Sequence, residues 1–266
     1  MIDLHAHTTC SDGSLSPTAL VELAAQEGLK ALAISDHDTT AGWVEACTAG
    51  DRVGVEIVPA LELSTVCRGR SLHILGFYPD AAKLADPLEE QRQGRIQRAQ
   101  AMVDKLATLG FPIELPVTHL TPGRPHLAQA LVKAGHVRNN REAFDRLLGD
   151  DGPAFVPFGK FSALDGIQLL RDCDAIPVWA HPHLFRGDTV ERTLRDLVAA
   201  GLRGIEVYHP EQSKSTTQGL AALARKYDLV WTGGSDYHGP NARGIRLNML
   251  KLDPALLDQL KTARFG

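Results

Sequence analysis

Seven short apolar runs in this 266-residue chain each carry histidine, aspartate or glutamate, and no other feature limits the fold so tightly. They lie in "MIDLHAHTTCSDG", "LKALAISDHDT", "VEIVPALELS", "SLHILGFY", "AIPVWAHPH", "LRGIEVYHP" and "LVWTGGSDYHG", with the polar residue read at the C-terminal end of each strand. Helical patterns fill most of the intervals. That alternation predicts parallel βα units rather than a sandwich or a bundle. In a barrel of parallel strands the C-terminal ends gather at one mouth, so residues far apart in sequence converge there. Local signals agree: Ser16 can cap a helix, Pro17 suits its first position, and Gly28 can end the run "TALVELAAQEG". His5 and His7 stand two apart, and on an extended segment such side chains share a face.

A chain of this length and apolar content can bury one large α/β domain, or a domain with a smaller insert. Its net charge of −4 gives no general drive toward nucleic acid or membranes. No apolar run approaches the roughly 20 residues that span a bilayer, and the N-terminus lacks a basic region followed by an apolar stretch. The expectation is a cytoplasmic protein starting at Met1, without membrane association. Cys10, Cys47, Cys67 and Cys173 show no paired spacing and read as reduced thiols.

The stretch from about Pro87 to Lys160 breaks the rhythm. "LEEQRQGRIQRAQAMVDKLATLG" repeats apolar residues at helical spacing, "GRPHLAQALVKAG" and "NREAFDRLLGD" read as shorter helices, and the first strand after them is expected at "AFVPF". The expected organisation is a barrel over residues 1–86 and 158–266, with a helical insert over 87–157 capping its mouth. The stretch carries ten basic residues against eight acidic, a net +2 against −6 elsewhere, which fits either an anion cap or a solvated helical face.

Collected from the apolar runs, the chemistry-bearing residues are His5, His7, Asp12, His37, Glu62, His73, His181, Asp236 and His238. Six imidazoles and three carboxylates exceed the needs of one tetrahedral ion and suit two or three divalent ions with bridging carboxylates. Nitrogen and oxygen donors without sulfur point to Mn²⁺, Zn²⁺ or Fe²⁺. Taken singly, His73 also reads as a surface histidine, and Asp12 in "SDG" and Asp236 in "GGSD" as turn residues. Glu62 is harder to place blandly, because a carboxylate in an apolar strand is costly to bury unpaired.

Together "DLHAHTTCSDG", "AISDHDT", "ALELS", "SLHILGFY", "WAHPH" and "GGSDYHG" resemble the PHP (polymerase and histidinol phosphatase) superfamily of metal-dependent phosphoesterases. The resemblance implies a distorted (β/α)₇ barrel, TIM-like, with a trinuclear site whose first choice of ion is Mn²⁺. It implies one ion on His5, His7, Glu62 and Asp236, a second on Glu62, His73 and His181, and a third on Asp12, His37 and His238. "GRPHLAQALVKAG", "FDRLLGDDGPAFVPFGK" and "GIEVYHPEQS" resemble the branch holding nucleoside 3′,5′-bisphosphate phosphatases and their exoribonuclease relatives. That branch implies a small-molecule nucleotide substrate, with adenosine 3′,5′-bisphosphate losing its 3′-phosphate to give AMP. The chemistry is consistent: two ions about 3.5–4 Å apart can hold a bridging hydroxide for in-line attack.

Beyond Glu62 and Asp236, His209 is the first choice for the catalytic acid because it follows the strand "GIEVY", and His183 the second. Asp36 and Asp38 flank His37 and either orient an imidazole or, for Asp38, cap a helix near Thr39. Arg124 and His126 in "GRPH", with Arg92 and Arg95 on the long helix, are the candidates for a second phosphate. Tyr208, Phe158 and Phe161 are the aromatic candidates for a base. Competing readings are a 5′-3′ exoribonuclease on short 5′-phosphorylated RNA, a histidinol-phosphate-type phosphatase, and a noncatalytic metal-binding module. None requires a protein partner.

Overall fold

The computed structural model describes residues 1–115, 122–157, 159, 161–240 and 244–265. In chain order its elements are β1 (Ile2–Asp3), α1 (Pro17–Gln26), β2 (Ala31–Ile34), α2 (Trp43–Val53), β3 (Glu56–Cys67), β4 (Arg70–Phe77), α3 (Ala81–Thr108), α4 (Arg124–Lys133) and α5 (Asn140–Ala143). After a π-turn at Phe144–Leu148 come α6 (Ala163–Asp172), β5 (Ile176–Trp179), α7 (Val190–Ala199), β6 (Gly204–Tyr208), α8 (Lys214–Lys226), β7 (Val230–Gly233) and α9 (Ala255–Phe265). The seven strands form one sheet in sequential order. It curls into a nearly closed, distorted (β/α)₇ barrel, because the backbone after β7 bonds back to β1: Leu4 N–H to Gly233 O at 3.2 Å, Asp236 N–H to His5 O at 2.9 Å and His7 N–H to Tyr237 O at 2.9 Å.

The signals of the first helix act as read: Ser16 Oγ accepts from Ala19 N–H at 3.2 Å, and Gly28, at φ 78°, turns the chain out of α1. The expectation of parallel strands holds for β1–β2–β3 and β5–β6–β7 but fails for β4, which runs antiparallel to both neighbours. Only Arg68 and Gly69 separate β3 from β4, too few for a crossover. Both take positive φ, 52° and 75°, as a tight two-residue hairpin loop demands. This reversal corrects the reading of His73 as a strand-end residue. It sits near the start of β4, and the start of an antiparallel strand lies at the mouth. Glu62 likewise sits inside β3, which runs five residues further into the hairpin.

Three apolar clusters fill the barrel and a fourth fills the helical segment. Helix α3 belongs to both parts. Leu84 and Leu88 pack into the barrel, and Met102, Val103 and Leu106 pack with Leu127, Leu131 and Leu147 of the later helices. It starts at Ala81 under an Asp80 cap, six residues before the expected boundary, and runs through Pro87. Burial of Leu84 and Leu88 on either side outweighs the amide donor that proline removes. The expected strand at "AFVPF" is absent: residues 154–157 carry no strand, and Phe158 lies outside the described residues, as do Lys160 and His119. Among the described residues no helix is long and apolar enough to cross a membrane, and the cysteines are free thiols.

Candidate metal centre

The mouth of the barrel collects all nine candidate ligands. Glu62 is the hub. Its Oε2 lies 3.2 Å from His5 Nε2, 3.1 Å from His7 Nε2 and 3.4 Å from His37 Nδ1, while Oε1 lies 2.8 Å from His73 Nδ1 and 2.9 Å from His181 Nε2. Asp236 Oδ1 lies 3.4 Å from His5 Nε2 and 3.2 Å from His7 Nε2, and Asp12 Oδ1 lies 3.3 Å from His238 Nε2. Among the described residues three overlapping sets have donor atoms mutually within 4.8 Å: His5, His7, Glu62 and Asp236; His7, Asp12, His37 and His238; and His37, Glu62 and His73.

Local backbone explains the convergence. His37 is drawn beside β3 by a single parallel bridge to Glu62, and Asp236 and His181 take left-handed φ of 52° and 31° that turn their side chains inward. The glycines of "GGSD" are needed for close approach: a Cβ at Gly234 would overlap His5. Asp36 does not touch an imidazole directly. It accepts from Thr8 N–H at 2.8 Å, Thr8 Oγ1 at 2.7 Å and Ser11 Oγ at 2.6 Å, so it fixes the loop bearing His7 and Asp12. Asp38 caps no helix either, since α2 starts later, at Trp43. It pairs with buried Arg95 and accepts from Ser64 N–H at 2.8 Å.

The electrostatics are those of a cation site. Burial opposes ionisation of the three carboxylates, but the imidazoles prevail: His37, His5 and His73 hold Glu62 well below the usual carboxylate range, His238 and His37 do so for Asp12, and His238 and His5 for Asp236. Burial also works against a charge on His7, yet Asp236 and Glu62 push its imidazole up to about 10. The donors fit a metal better than they fit each other. His7 Nε2 and His37 Nδ1 are buried within 3.4 Å of carboxylate oxygens, yet neither has hydrogen-bond geometry to any described residue. Nitrogen and oxygen ligand atoms gathered on a shared centre, with sulfur absent, suit divalent cations.

At the cluster lies a cavity of about 350 Å³, lined by Asp12, His37, Glu62, His73, His181, Asp236 and His238 together with Arg95, Arg98 and Arg124 from α3 and α4. Of the residues read as phosphate binders, Arg124 and Arg95 line this cavity. Arg124 donates to Asp150 Oδ1 at 2.7 Å and lies over Phe144 and Phe155, while Arg95 donates to Asp38 and Ser64. Arg92 is a correction: it lines no part of the cavity and forks onto Glu89 at the surface, with both bonds 2.7 Å. Periodicity sets Arg92 and Arg95, three apart, on one face of the helix, and it is packing that sends Arg95 to Asp38 and Arg92 to the surface. His126 does not line the cavity either; its Nδ1 accepts from Gly123 N–H at 3.0 Å, and it is close enough to Asp12 and His238 to feel both. Arg98 was not singled out in sequence, because nothing distinguishes it from the other arginines of a polar helix.

His209, the first choice for the catalytic acid, does not line the cavity. It is buried, with Nδ1 accepting from Glu211 N–H at 3.2 Å and Nε2 3.8 Å from Asp236 Oδ2. Its Nε2 faces Asp236, a candidate ligand, rather than the cavity. His183 packs against it at 4.7 Å between rings, outside the cavity wall. Tyr208 packs by Trp231, and Phe161 against the barrel core. Sequence reasoning also missed Glu206, a fully buried acid in the middle of "GIEVY" whose carboxylate meets His5. The cost of burying it was the available signal, the same one that marked Glu62.

Burial, with the His209 and His181 imidazoles beside it, pushes His183 down to about 4. The unfolded imidazole takes a proton near 6.5 and the folded one does so only near 4, so stability is present above the upper value and lost as pH falls. Between pH 7 and pH 5 the loss from this group should be about 1–2 kcal/mol, allowing for partial exposure. Urea titrations at the two pH values, on cation-stripped protein, should show a smaller acid loss for His183→Gln than for the parent. Equal losses would mean that the imidazole is solvated in the folded state.

Residues 3–148 match the model of the PHP domain family. A 5′-3′ exoribonuclease of Haemophilus influenzae is 38% identical over 246 residues, covering 90% of each chain. A 3′,5′-nucleoside bisphosphate phosphatase of Chromobacterium violaceum is 33% identical over 253 residues, covering 91% of this chain and 89% of the other. A solved structure from Bifidobacterium adolescentis, named as a candidate metal-dependent phosphoesterase, superposes with a TM-score of 0.90 at 32% identity, over 99% of this chain and 96% of that one. The chain belongs to the PHP domain family of metal-dependent phosphoesterases.

Proposed function

We propose that this chain is a phosphomonoesterase that removes the 3′-phosphate from nucleoside 3′,5′-bisphosphates, adenosine 3′,5′-bisphosphate giving AMP and phosphate. The observation that carries the reading is one cavity lined by two anion-seeking groups of residues, candidate cation ligands from the barrel and guanidinium groups from the helical segment. A substrate with two phosphoryl groups answers both. The volume, about 350 Å³, suits one small ligand rather than a strand. The relative from C. violaceum bears the corresponding name.

His5, His7, Glu62 and Asp236 would hold one cation, Glu62, His73 and His181 a second, and Asp12, His37 and His238 a third, with Mn²⁺ the first choice and Zn²⁺ or Fe²⁺ the alternatives. Bound there, divalent cations supply charge against the phosphoryl oxygens and acidify a water for in-line attack. The chain itself contributes position. Residues 87–157 would cap the mouth, with Arg124 and Arg98 turned to the second phosphate. Helix α4 opens on the same space through Gly123, which brings no capping side chain, so its N-terminal dipole adds to the attraction. The reduced thiols suit a cytoplasmic setting.

Arg124→Gln should raise KM for the bisphosphate about 10- to 100-fold, the worth of a charged hydrogen bond. Turnover of a nucleoside monophosphate at the same cation centre should stay within about twofold, because uniform binding affects KM alone. Phosphate release from both substrates, with added Mn²⁺, measures this. The second reading, end-wise hydrolysis of short 5′-phosphorylated RNA, is favoured by the H. influenzae relative. A higher kcat/KM on such oligomers than on the bisphosphate would replace the first reading with it.

A further inference from the structure

We infer that Glu206 is a positioning residue that sets both His5 and His181 for cation binding, an inference that rests on reading those two histidines as ligands. Glu206 lies midway along β6, fully buried, and a register shift in its pairing with β7 follows it directly, the kind of irregularity that aims a side chain. Its two oxygens do different things. Oε1 is 3.0 Å from His5 Nδ1, and Oε2 is 2.7 Å from the backbone N–H of His181.

An ionised carboxylate can only accept, so His5 Nδ1 must donate. That leaves Nε2, the nitrogen facing Glu62 Oε2 at 3.2 Å and Asp236 Oδ1 at 3.4 Å, as the ring's ligating atom. The contact to His181 works through the backbone. His181 stands at φ 31°, ψ 56°, a left-handed conformation unfavourable for a residue with a Cβ, and it precedes Pro182. Glu206 secures the amide of that strained residue. With the backbone so held, His181 Nε2 lies 2.9 Å from Glu62 Oε1 and its ring stacks on that of His5, 5.8 Å between centroids. One carboxylate on β6 therefore governs the ring of a residue just after β1 and the backbone of a residue just after β5. Both act on the pair that brackets Glu62.

Glu206→Gln tests this, because the amide keeps the size but turns one arm into a donor and cannot accept from both partners. Dialysis against graded chelator, with metal analysis, should show Mn²⁺ affinity weakened about 10- to 100-fold. Activity should recover toward the parental kcat as Mn²⁺ is raised, with KM for the phosphate ester unchanged within about twofold. A merely structural carboxylate would lower thermal stability and leave Mn²⁺ affinity alone. Glu206→Asp, which keeps the charge and loses reach, carries the same expectation if the amide variant fails to fold. Glu62→Gln is measured alongside. Parental Mn²⁺ affinity in the Glu206 variants with weakened affinity in Glu62→Gln overturns the positioning role and leaves the ligand reading standing. Parental affinity in both overturns the ligand reading, and this inference with it.

Discussion

Glu62→Gln should lower kcat/KM for phosphate release by about a thousandfold or more, because the loss of several kcal/mol of charge stabilisation translates into that factor. The side chain is buried and five imidazoles crowd its two oxygens, at 2.8–3.4 Å. The amide preserves volume, so the barrel should fold. It cannot preserve function, since one arm turns from acceptor to donor and the hub of the cluster loses its charge. Metal analysis after dialysis should find fewer cations per chain than in the parent, and added Mn²⁺ should not restore the rate. A variant that keeps both its cations and its turnover would remove Glu62 from the centre of the site.

The second large effect is on stability. Asp38→Ala should cost about 3–5 kcal/mol, the range for breaking a buried ion pair and stranding one charge. Asp38 and Arg95 are both buried, and Asp38 also accepts from the Ser64 backbone. Its φ of 50° adds to the loss, because alanine tolerates left-handed backbone poorly. Asp38→Asn keeps an acceptor and tolerates that backbone, so its loss should be about half as large. Urea midpoints at constant m-value measure both. A loss under about 1 kcal/mol for the alanine variant would show that the pair does not tie α3 to the barrel.

Legibility in sequence followed the range of the interaction. The Ser16 cap, Pro17 and Gly28 were readable because a helix end is decided within a few residues. His5 and His7 were readable as a pair because i and i+2 share a face even past the end of β1. His73 is legible by type but not by position: its strand runs backward, reversed by the Arg68–Gly69 turn, so it reaches the mouth from the start of β4. Arg92 and Arg95, three apart on one helix, could not be separated by pattern; packing sends one to Asp38 and the other to a surface glutamate.

The sequence by itself determined the types and the order of the chemistry. Six imidazoles and three carboxylates, spaced along alternating apolar runs, specify a barrel and a candidate metal centre, because period and side-chain type are local properties. Only the tertiary structure decided proximity: His209 against Asp236, Glu206 against His5, and Arg98 and Arg124 on the cavity that the candidate ligands line. The physical reason is that such relations are set by hydrogen bonds and burial between residues many tens of positions apart, and no short stretch of the chain encodes them alone.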